Sequence, residues 1–292
     1  MQASKVWNYI KKTLHNAEII EFESESKIIF EHFTKFKPWQ IIIEDFFVPE
    51  KIFASIQNCV NTRITGKPLA YISKKQNFYG HDFALNNECL IPRFDSEILV
   101  EQTLNNFTLN DKNNIIICDL CCGSGCLGIS LAYEIAMQYK NIKINLQMID
   151  ISKNALKIAN KNANHILKNC NVDIEILPFN ILKDDFVKIT KSHIIITNPP
   201  YIPSHEIEGL EKQVKNFEPK IALDGGLDGF NFYRIIANNL SKICYKNTLV
   251  GIEFGIHQDV KITELFSKYS KNINICKDLC NIPRCGIFKF DL

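Results

Sequence analysis

Four β-branched residues, Ile194-Ile195-Ile196-Thr197, run straight into Asn198-Pro199-Pro200-Tyr201, and that junction restricts the fold more than any other stretch. The apolar run follows Ser192-His193 and reads as a short buried strand. Neither proline can donate a ladder hydrogen bond, and each fixes its own φ and restricts the residue before it. The strand must stop there. Asn198 is thereby held extended at the carboxyl end of a central strand, the edge where open α/β sheets place their ligands. An amide, two stiff prolines with free carbonyls and an aromatic ring make a rigid polar pocket under a flat lid.

The chain around this junction supplies such a sheet. From about residue 106 strands alternate with helices: strands at 115–118, 142–149, 172–177, 194–197 and 248–254, helices at 127–137, after Ser152, at 230–243 and at 259–269. Ser152 is placed to cap its helix, with Ala155, Leu156, Ala159, Ala163 and Ile166 facing inward. Strands at 273–276 and 287–290 follow one another without a helix, as an antiparallel edge hairpin would. Repeated βα units predict an α/β fold with a doubly wound, mostly parallel, Rossmann-like sheet of seven strands.

Residues 1–75 carry a different pattern. Apolar faces at Val6, Trp7, Ile10 and Leu14, at Ile28, Ile29, Phe33 and Phe36, and at Ile52, Phe53, Ile56 and Val60 predict a small helical bundle, with Pro49 in the first turn of its last helix. Such a bundle carries no chemistry of its own and is expected to dock a substrate. Residues 76–105 are expected to be a β-hairpin linker turning at Gly80 and at Asn86-Asn87, with a helix starting near Ser96. Residues 106–292 are expected to form the α/β domain that carries the sheet and its ligand edge.

Length and charge narrow the partners. A chain of 292 residues accommodates one large domain and a smaller one, and a net charge of +2 gives no bias toward nucleic acid or an anionic membrane. No apolar run reaches membrane-spanning length and no signal-peptide core precedes residue 12, so a cytoplasmic location is expected. A monomer is also expected. Eleven cysteines in a chain without a secretion signal are expected to be free thiols. Cys118, Cys121, Cys122 and Cys126 lack a second well-spaced pair, so no metal site is expected.

Two sites share the sheet edge. Gly123-Ser124-Gly125-Cys126-Leu127-Gly128 matches G-x-G-x-x-G between a strand and a helix, where glycine lets the backbone turn tightly and approach a ligand. Asp150, ending the second strand, is placed to accept ribose hydroxyls. That geometry serves a dinucleotide or S-adenosylmethionine equally. Asn198-Pro199-Pro200-Tyr201 favours the second. The Asn198 side-chain oxygen and the Pro199 carbonyl can each accept one N–H of a planar amino or amide group, steering its lone pair toward an electrophilic methyl, while Tyr201 packs on its flat face.

Asp119-Leu-Cys-Cys-Gly123-Ser-Gly125, Asp150-Ile151-Ser152 and Asn198-Pro-Pro-Tyr201 resemble the class I S-adenosylmethionine-dependent methyltransferases acting on amide or exocyclic amino nitrogens. Further segments resemble the release factor glutamine methyltransferases (HemK/PrmC family): Gly66-Lys-Pro-Leu-Ala-Tyr-Ile72, Leu90-Ile-Pro-Arg-Phe-Asp-Ser-Glu97, Phe217-Glu-Pro219, Ala222-Leu-Asp-Gly-Gly226, Ile252-Glu-Phe-Gly255 with Gln258, and Asp278-Leu-Cys-Asn-Ile-Pro-Arg284. The resemblance spans nearly the whole chain. It implies methylation of the side-chain amide nitrogen of the glutamine in the Gly-Gly-Gln loop of class 1 peptide chain release factors. It also implies cofactor contacts at Asp119, Cys121, Cys122, Gly123, Ser124, Gly125, Asp150, Ile151, Asn180, Ile181 and Asn198. Catalysis would fall to Asn198, Pro199 and Tyr201, and substrate binding to residues 198–201, Pro200 included, with Arg93 near the mouth of the site. The bland reading of Arg93 is a linker ion pair with Asp95 or Glu97.

The sequence departs from the family pattern twice. Cys121 stands where the first turn glycine is usual, and is expected to sit extended while Gly123 and Gly125 bend. Asn180 stands where an acid is commoner; its amide can still bond an adenine edge. Three rivals remain: a nucleic-acid N-methyltransferase taking a flipped base, a nicotinamide-dependent oxidoreductase, and a docking protein without activity.

Overall fold

The computed structural model of the chain describes residues 1–109 and 113–291. These fall into two compact units, Met1–Lys74 with Lys212–Phe217, and Lys75–Glu211 with Glu218–Leu292.

The first unit is helical: α1 (Ala3–Asn16), α2 (Phe22–Thr34), α3 (Gln40–Ile43), α4 (Glu50–Arg63) and α5 (Leu69–Ser73). Val6, Ile10 and Leu14 of α1 meet Ile29 and Phe30 of α2 and Ile56 and Val60 of α4 in one core. The face expected on α2 is displaced, since Ile28 and Phe36 are both exposed. Lys35, with φ 65°, ends the helix before Phe36, and the inward stripe runs through Ser26, Ile29 and Phe30 instead. Within this core Arg63 Nε and a guanidinium nitrogen donate to the two carboxylate oxygens of Glu25, at 2.7 and 2.9 Å. Paired forks of this kind let two charges be buried together.

The second unit opens with a hairpin, β1 (Lys75–Phe78) and β2 (His81–Ala84), turned at Tyr79 and Gly80, both with positive φ. Asn86-Asn87 bends the chain without forming a second strand pair. There follow α6 (Glu97–Asn106), β3 (Asn114–Leu120), α7 (Cys126–Gln138), β4 (Lys143–Asp150), α8 (Lys153–Ile166), β5 (Val172–Pro178) and β6 (Ser192–Thr197). After α9 (Lys212–Phe217), which groups with the first unit, come α10 (Asn231–Ile243), β7 (Cys244–Glu253), α11 (Asp259–Phe266), β8 (Ile273–Lys277) and β9 (Pro283–Lys289).

Among the described residues the main sheet has seven strands in the order β5-β4-β3-β6-β7-β9-β8. Pairing is parallel from β5 to β7, and β9 runs antiparallel to both its neighbours. Starting from β3, the chain walks outward through β4 and β5, then returns to β6 on the other side of β3. That reversal opens a crevice at the carboxyl ends of β3 and β6. Helices α6, α7 and α8 cover one face, joined by Phe78 and Phe83 of the hairpin, and α10 and α11 cover the other. No described helix is long and apolar enough to cross a membrane.

Candidate active site

The register pairs Leu120 of β3 with Thr197 of β6, and Thr197 Oγ1 donates to the Leu120 carbonyl at 2.7 Å. The two turns singled out in the sequence therefore begin side by side.

In the first turn Cys121 is not extended. Its φ is 58°, so it makes the first bend itself. Cys122 N–H donates to the Ile149 carbonyl at 3.0 Å and Gly125 N–H to the Cys122 carbonyl at 2.7 Å, which leaves too few residues to reverse the chain otherwise. A side chain in the left-handed region costs about 1 to 2 kcal/mol. Gly123 has φ 54°, and a Cβ there would meet nothing within 4 Å, so its main chain faces open space. Below the turn lies Asp119, fully buried, with Oδ2 accepting from Gly128 N–H at 2.9 Å and Oδ1 lacking any partner among the described residues. Burial pushes its carboxyl up to about 8.

Asp150 accepts from Gly123 N–H through Oδ2 at 2.9 Å and from Ser152 N–H through Oδ1 at 2.8 Å. Burial raises its pKa. Each carboxylate oxygen has a second lone pair for an incoming hydroxyl. Asn180 Oδ1 accepts from Leu182 N–H at 2.9 Å, which leaves its Nδ2 donor and the second lone pair of Oδ1 for a ligand. Asn162 is a structural residue the sequence reading missed. From α8 its Nδ2 donates to the carbonyls of Ser124 (2.9 Å) and Ala84 (3.1 Å), and its Oδ1 accepts from Ala84 N–H (2.8 Å). A polar residue on the buried face shared with Ala155, Ala159 and Ala163 was the available signal.

These elements line a cleft that is open to solvent on one side. Cys121, Cys122, Gly123 and Ser124 form its floor and Asp150, Ile151, Asn180 and Ile181 its far wall. Phe179, Ile181 and Phe232 add apolar surface suited to a flat ring, and Asn198, Pro200 and Arg93 close the near side. Asp119, Gly125, Pro199 and Tyr201 do not line it. Arg93 pairs with the buried Glu218, which also accepts from Ile91 N–H at 3.3 Å. The ion pair expected with Asp95 or Glu97 is not formed. Asp95 instead meets Arg284 at 2.8 Å, and Glu97 accepts from Tyr79 N–H.

The second turn is clamped from behind. Ile202 N–H donates to the Leu223 carbonyl and Gly225 N–H to the Ile202 carbonyl, at 3.0 and 2.8 Å. Gln258 Nε2 donates to the Tyr201 carbonyl at 3.0 Å while its Oε1 accepts from Gly255 N–H at 2.9 Å. A Cβ on Gly225 would lie 2.7 Å from Tyr201 Cα, and one on Gly229 would lie 2.4 Å from the Tyr201 carbonyl oxygen. Only glycine admits the Tyr201 backbone so closely. The Tyr201 ring packs against Gly255, and burial raises its phenol above the usual range while Arg284 and Arg93 oppose that.

The eleven cysteines are free, and no group of His, Cys, Asp and Glu among the described residues is arranged to hold a metal ion.

Residues 94–215 match the model of the methyltransferase small domain family. The chain is 34% identical over 269 residues to the release factor glutamine methyltransferase of Mycoplasma mycoides subsp. mycoides, covering 89% of each chain. It is 30% identical over 282 residues to that of Clostridium acetobutylicum, covering 96% of this chain and 94% of the relative. Among solved structures, the catalytic domain of hMettl16 in complex with MAT2A 3'UTR hairpin 6 superposes with a TM-score of 0.50 over 82% of each chain, at 12% identity, a likeness of fold alone.

Proposed function

The chain belongs to the release factor glutamine methyltransferases, and from that premise we propose that it transfers a methyl group from S-adenosylmethionine to the side-chain amide nitrogen, N5, of the glutamine in the Gly-Gly-Gln loop of class 1 peptide chain release factors. The observation that carries this reading is the pairing of Leu120 with Thr197, which sets a glycine turn and an Asn-Pro-Pro-Tyr turn at one cleft.

The cleft residues suit the cofactor. The open main chain at Gly123 leaves room for the methionine portion, the spare lone pairs of Asp150 suit ribose hydroxyls, and Phe179, Ile181 and Phe232 suit the adenine ring. Asn180 would offer adenine its Nδ2 donor as well as the second lone pair of Oδ1, where an acid could only accept. S-adenosylmethionine supplies an electrophilic methyl on a sulfonium, whose neutral thioether leaves without protonation, while the methylated nitrogen gives up one N–H proton to solvent.

The protein's own part is positioning. An amide nitrogen is planar and weakly nucleophilic because its lone pair is delocalised. Asn198 Oδ1, on the cleft wall, accepts one of its protons and the carbonyl of Pro199, next in the turn though outside the lining, accepts the other as the substrate amide seats against the turn, so the nitrogen is fixed with its lone pair aimed across the cleft. Proline has no N–H, so the two-proline turn presents acceptors and no competing donor. Tyr201, locked by Gln258, holds the flat amide from the side. Exposed apolar side chains on the helical unit, Trp39, Ile42, Ile43 and Phe47, support docking of the release factor there.

Asn198→Ala with labelled cofactor tests the reading. Transfer to a release factor is expected to fall by about 100-fold or more while cofactor affinity changes less than about threefold. Wild-type protein that methylated RNA or DNA oligonucleotides and left the release factor unlabelled would overturn the substrate assignment.

A further inference from the structure

Glu253 ends β7 one residue beyond the last parallel pair, Thr197 with Ile252, as Asn198 follows Thr197, and the Asn198 side chain bears on its carboxyl. Laterally paired residues of a parallel sheet direct their side chains to the same face. Glu253 is buried, yet its Oε2 has no hydrogen-bond partner among the described residues, and neither has the neighbouring Ser96 Oγ. Arg284 does not neutralise it directly, since that guanidinium is held by Asp278 at 2.7 Å and Asp95 at 2.8 Å. A buried carboxyl left short of partners calls for a reason.

Asn198 supplies one. An asparagine amide has nearly the same shape when flipped, but flipping exchanges its acceptor for a donor. Only one orientation can receive a substrate N–H. The two prolines fix the Asn198 backbone and say nothing about the amide. A carboxylate accepts hydrogen bonds and cannot donate, so beside Asn198 it draws Nδ2 toward itself and turns Oδ1 to the substrate. We propose that ionised Glu253 is a positioning residue that selects the productive orientation of the Asn198 amide. This rests on the reading that Asn198 Oδ1 accepts from the substrate amide.

The electrostatics agree. Burial pushes the Glu253 carboxyl up to about 7, with Ser96, Arg284 and Asn198 favouring the ionised form and Asp95 opposing it. The other titratable groups around it are the phenols of Tyr201 and Tyr233 and the thiol of Cys126, raised by burial, and the thiol of Cys285, raised by its hydrogen bond with Cys276 and by burial, all neutral in this range. Once protonated, Glu253 can donate to Asn198 Oδ1 as well as accept from Nδ2, so it no longer selects the productive orientation. Transfer is therefore fastest above about pH 7 and declines as the pH falls through it.

The test is single-turnover methyl transfer to a release factor at saturating cofactor, from pH 6 to 8.5, for wild type, Glu253→Gln and Asn198→Ala. For a required carboxylate that titrates near 7, the wild-type rate rises about tenfold between pH 6 and pH 8. Glu253→Gln can pair with either amide orientation. Its rate at pH 8 is expected to fall about tenfold or more, with a flat pH profile and with release factor KM and cofactor affinity within about threefold of wild type. A Glu253→Gln rate and profile equal to wild type would overturn the inference, as would a flat wild-type profile. The wild-type profile decides by itself if the variant does not bind cofactor. Loss of transfer in Asn198→Ala with a normal Glu253→Gln removes only the role of Glu253; retained transfer in Asn198→Ala removes the reading beneath it.

Discussion

Replacing Gln258 by alanine removes a side chain that lies outside the cleft yet holds its reactive edge. Gln258 is 8% exposed and makes two hydrogen bonds to main chain, to Gly255 N–H and to the Tyr201 carbonyl. Each contributes about 1 kcal/mol net, and the two backbone groups left behind carry a further penalty wherever water reaches them poorly. The expected loss is about 2 to 3 kcal/mol, which for a unit of this size lowers Tm by roughly 4 to 12 °C. The start of α11 is kept, because Gln258 N–H donates to the Gly255 carbonyl through the main chain. The functional consequence falls on Tyr201, whose backbone keeps only its neighbours' bonds at Ile202. Calorimetry gives the stability change, amide exchange at Gly255 reports the lost acceptor, and methyl transfer at saturating cofactor reports the slackened lid. A rate reduced about tenfold with cofactor affinity unchanged is expected. Unchanged exchange at Gly255 together with a Tm within about 1 °C of wild type would refute the clamp.

Two further outcomes follow from the floor of the cleft. Because Cys121 sits at φ 58°, Cys121→Gly relieves about 1 kcal/mol of strain and is expected to unfold in urea at or slightly above the wild-type midpoint, whereas β-branched Cys121→Val is expected to lose about 2 kcal/mol or more. Asp119 binds a proton in the folded protein up to about pH 8 but releases it near 3.8 when unfolded, so the folded state holds more protons across that window. Stability then falls as pH rises from about 4 to 8, by at most about 1.4 kcal/mol per unit, and Asp119→Asn, which keeps an acceptor for Gly128 N–H, is expected to flatten that slope. Denaturant titrations at pH 5, 6.5 and 8 measure it, and identical slopes in the two proteins would show Asp119 ionised throughout.

Much of the catalytic unit is legible locally because the signals are local. Ile194 to Thr197 ends where Pro199 and Pro200 forbid a ladder, Ser152 caps α8, and Gly123 and Gly125 mark the turn after β3. The misreadings have the same root. Cys121 was expected extended because a side chain disfavours positive φ, but the Cys122–Ile149 and Gly125–Cys122 hydrogen bonds impose the bend from outside the residue. Phe36 was counted on the inner stripe of α2 because periodicity does not see the left-handed stop at Lys35.

What the sequence determined by itself is the set of elements and the two turns, since proline geometry, glycine freedom and hydrophobic period act over a few residues. Only the tertiary structure decided what stands behind those turns. Glu218 reaches Arg93 across 125 positions, Asn162 ties Ser124 to Ala84, Gln258 holds Tyr201 from 57 positions away, and Glu253 meets Asn198 through strand register. Such partners are chosen by which strands lie side by side, a property of the whole sheet that no window of residues contains. The Asn198-Pro199-Pro200-Tyr201 turn is written in the chain; the orientation of its amide and the rigidity of its ring are set by residues the fold brings to it.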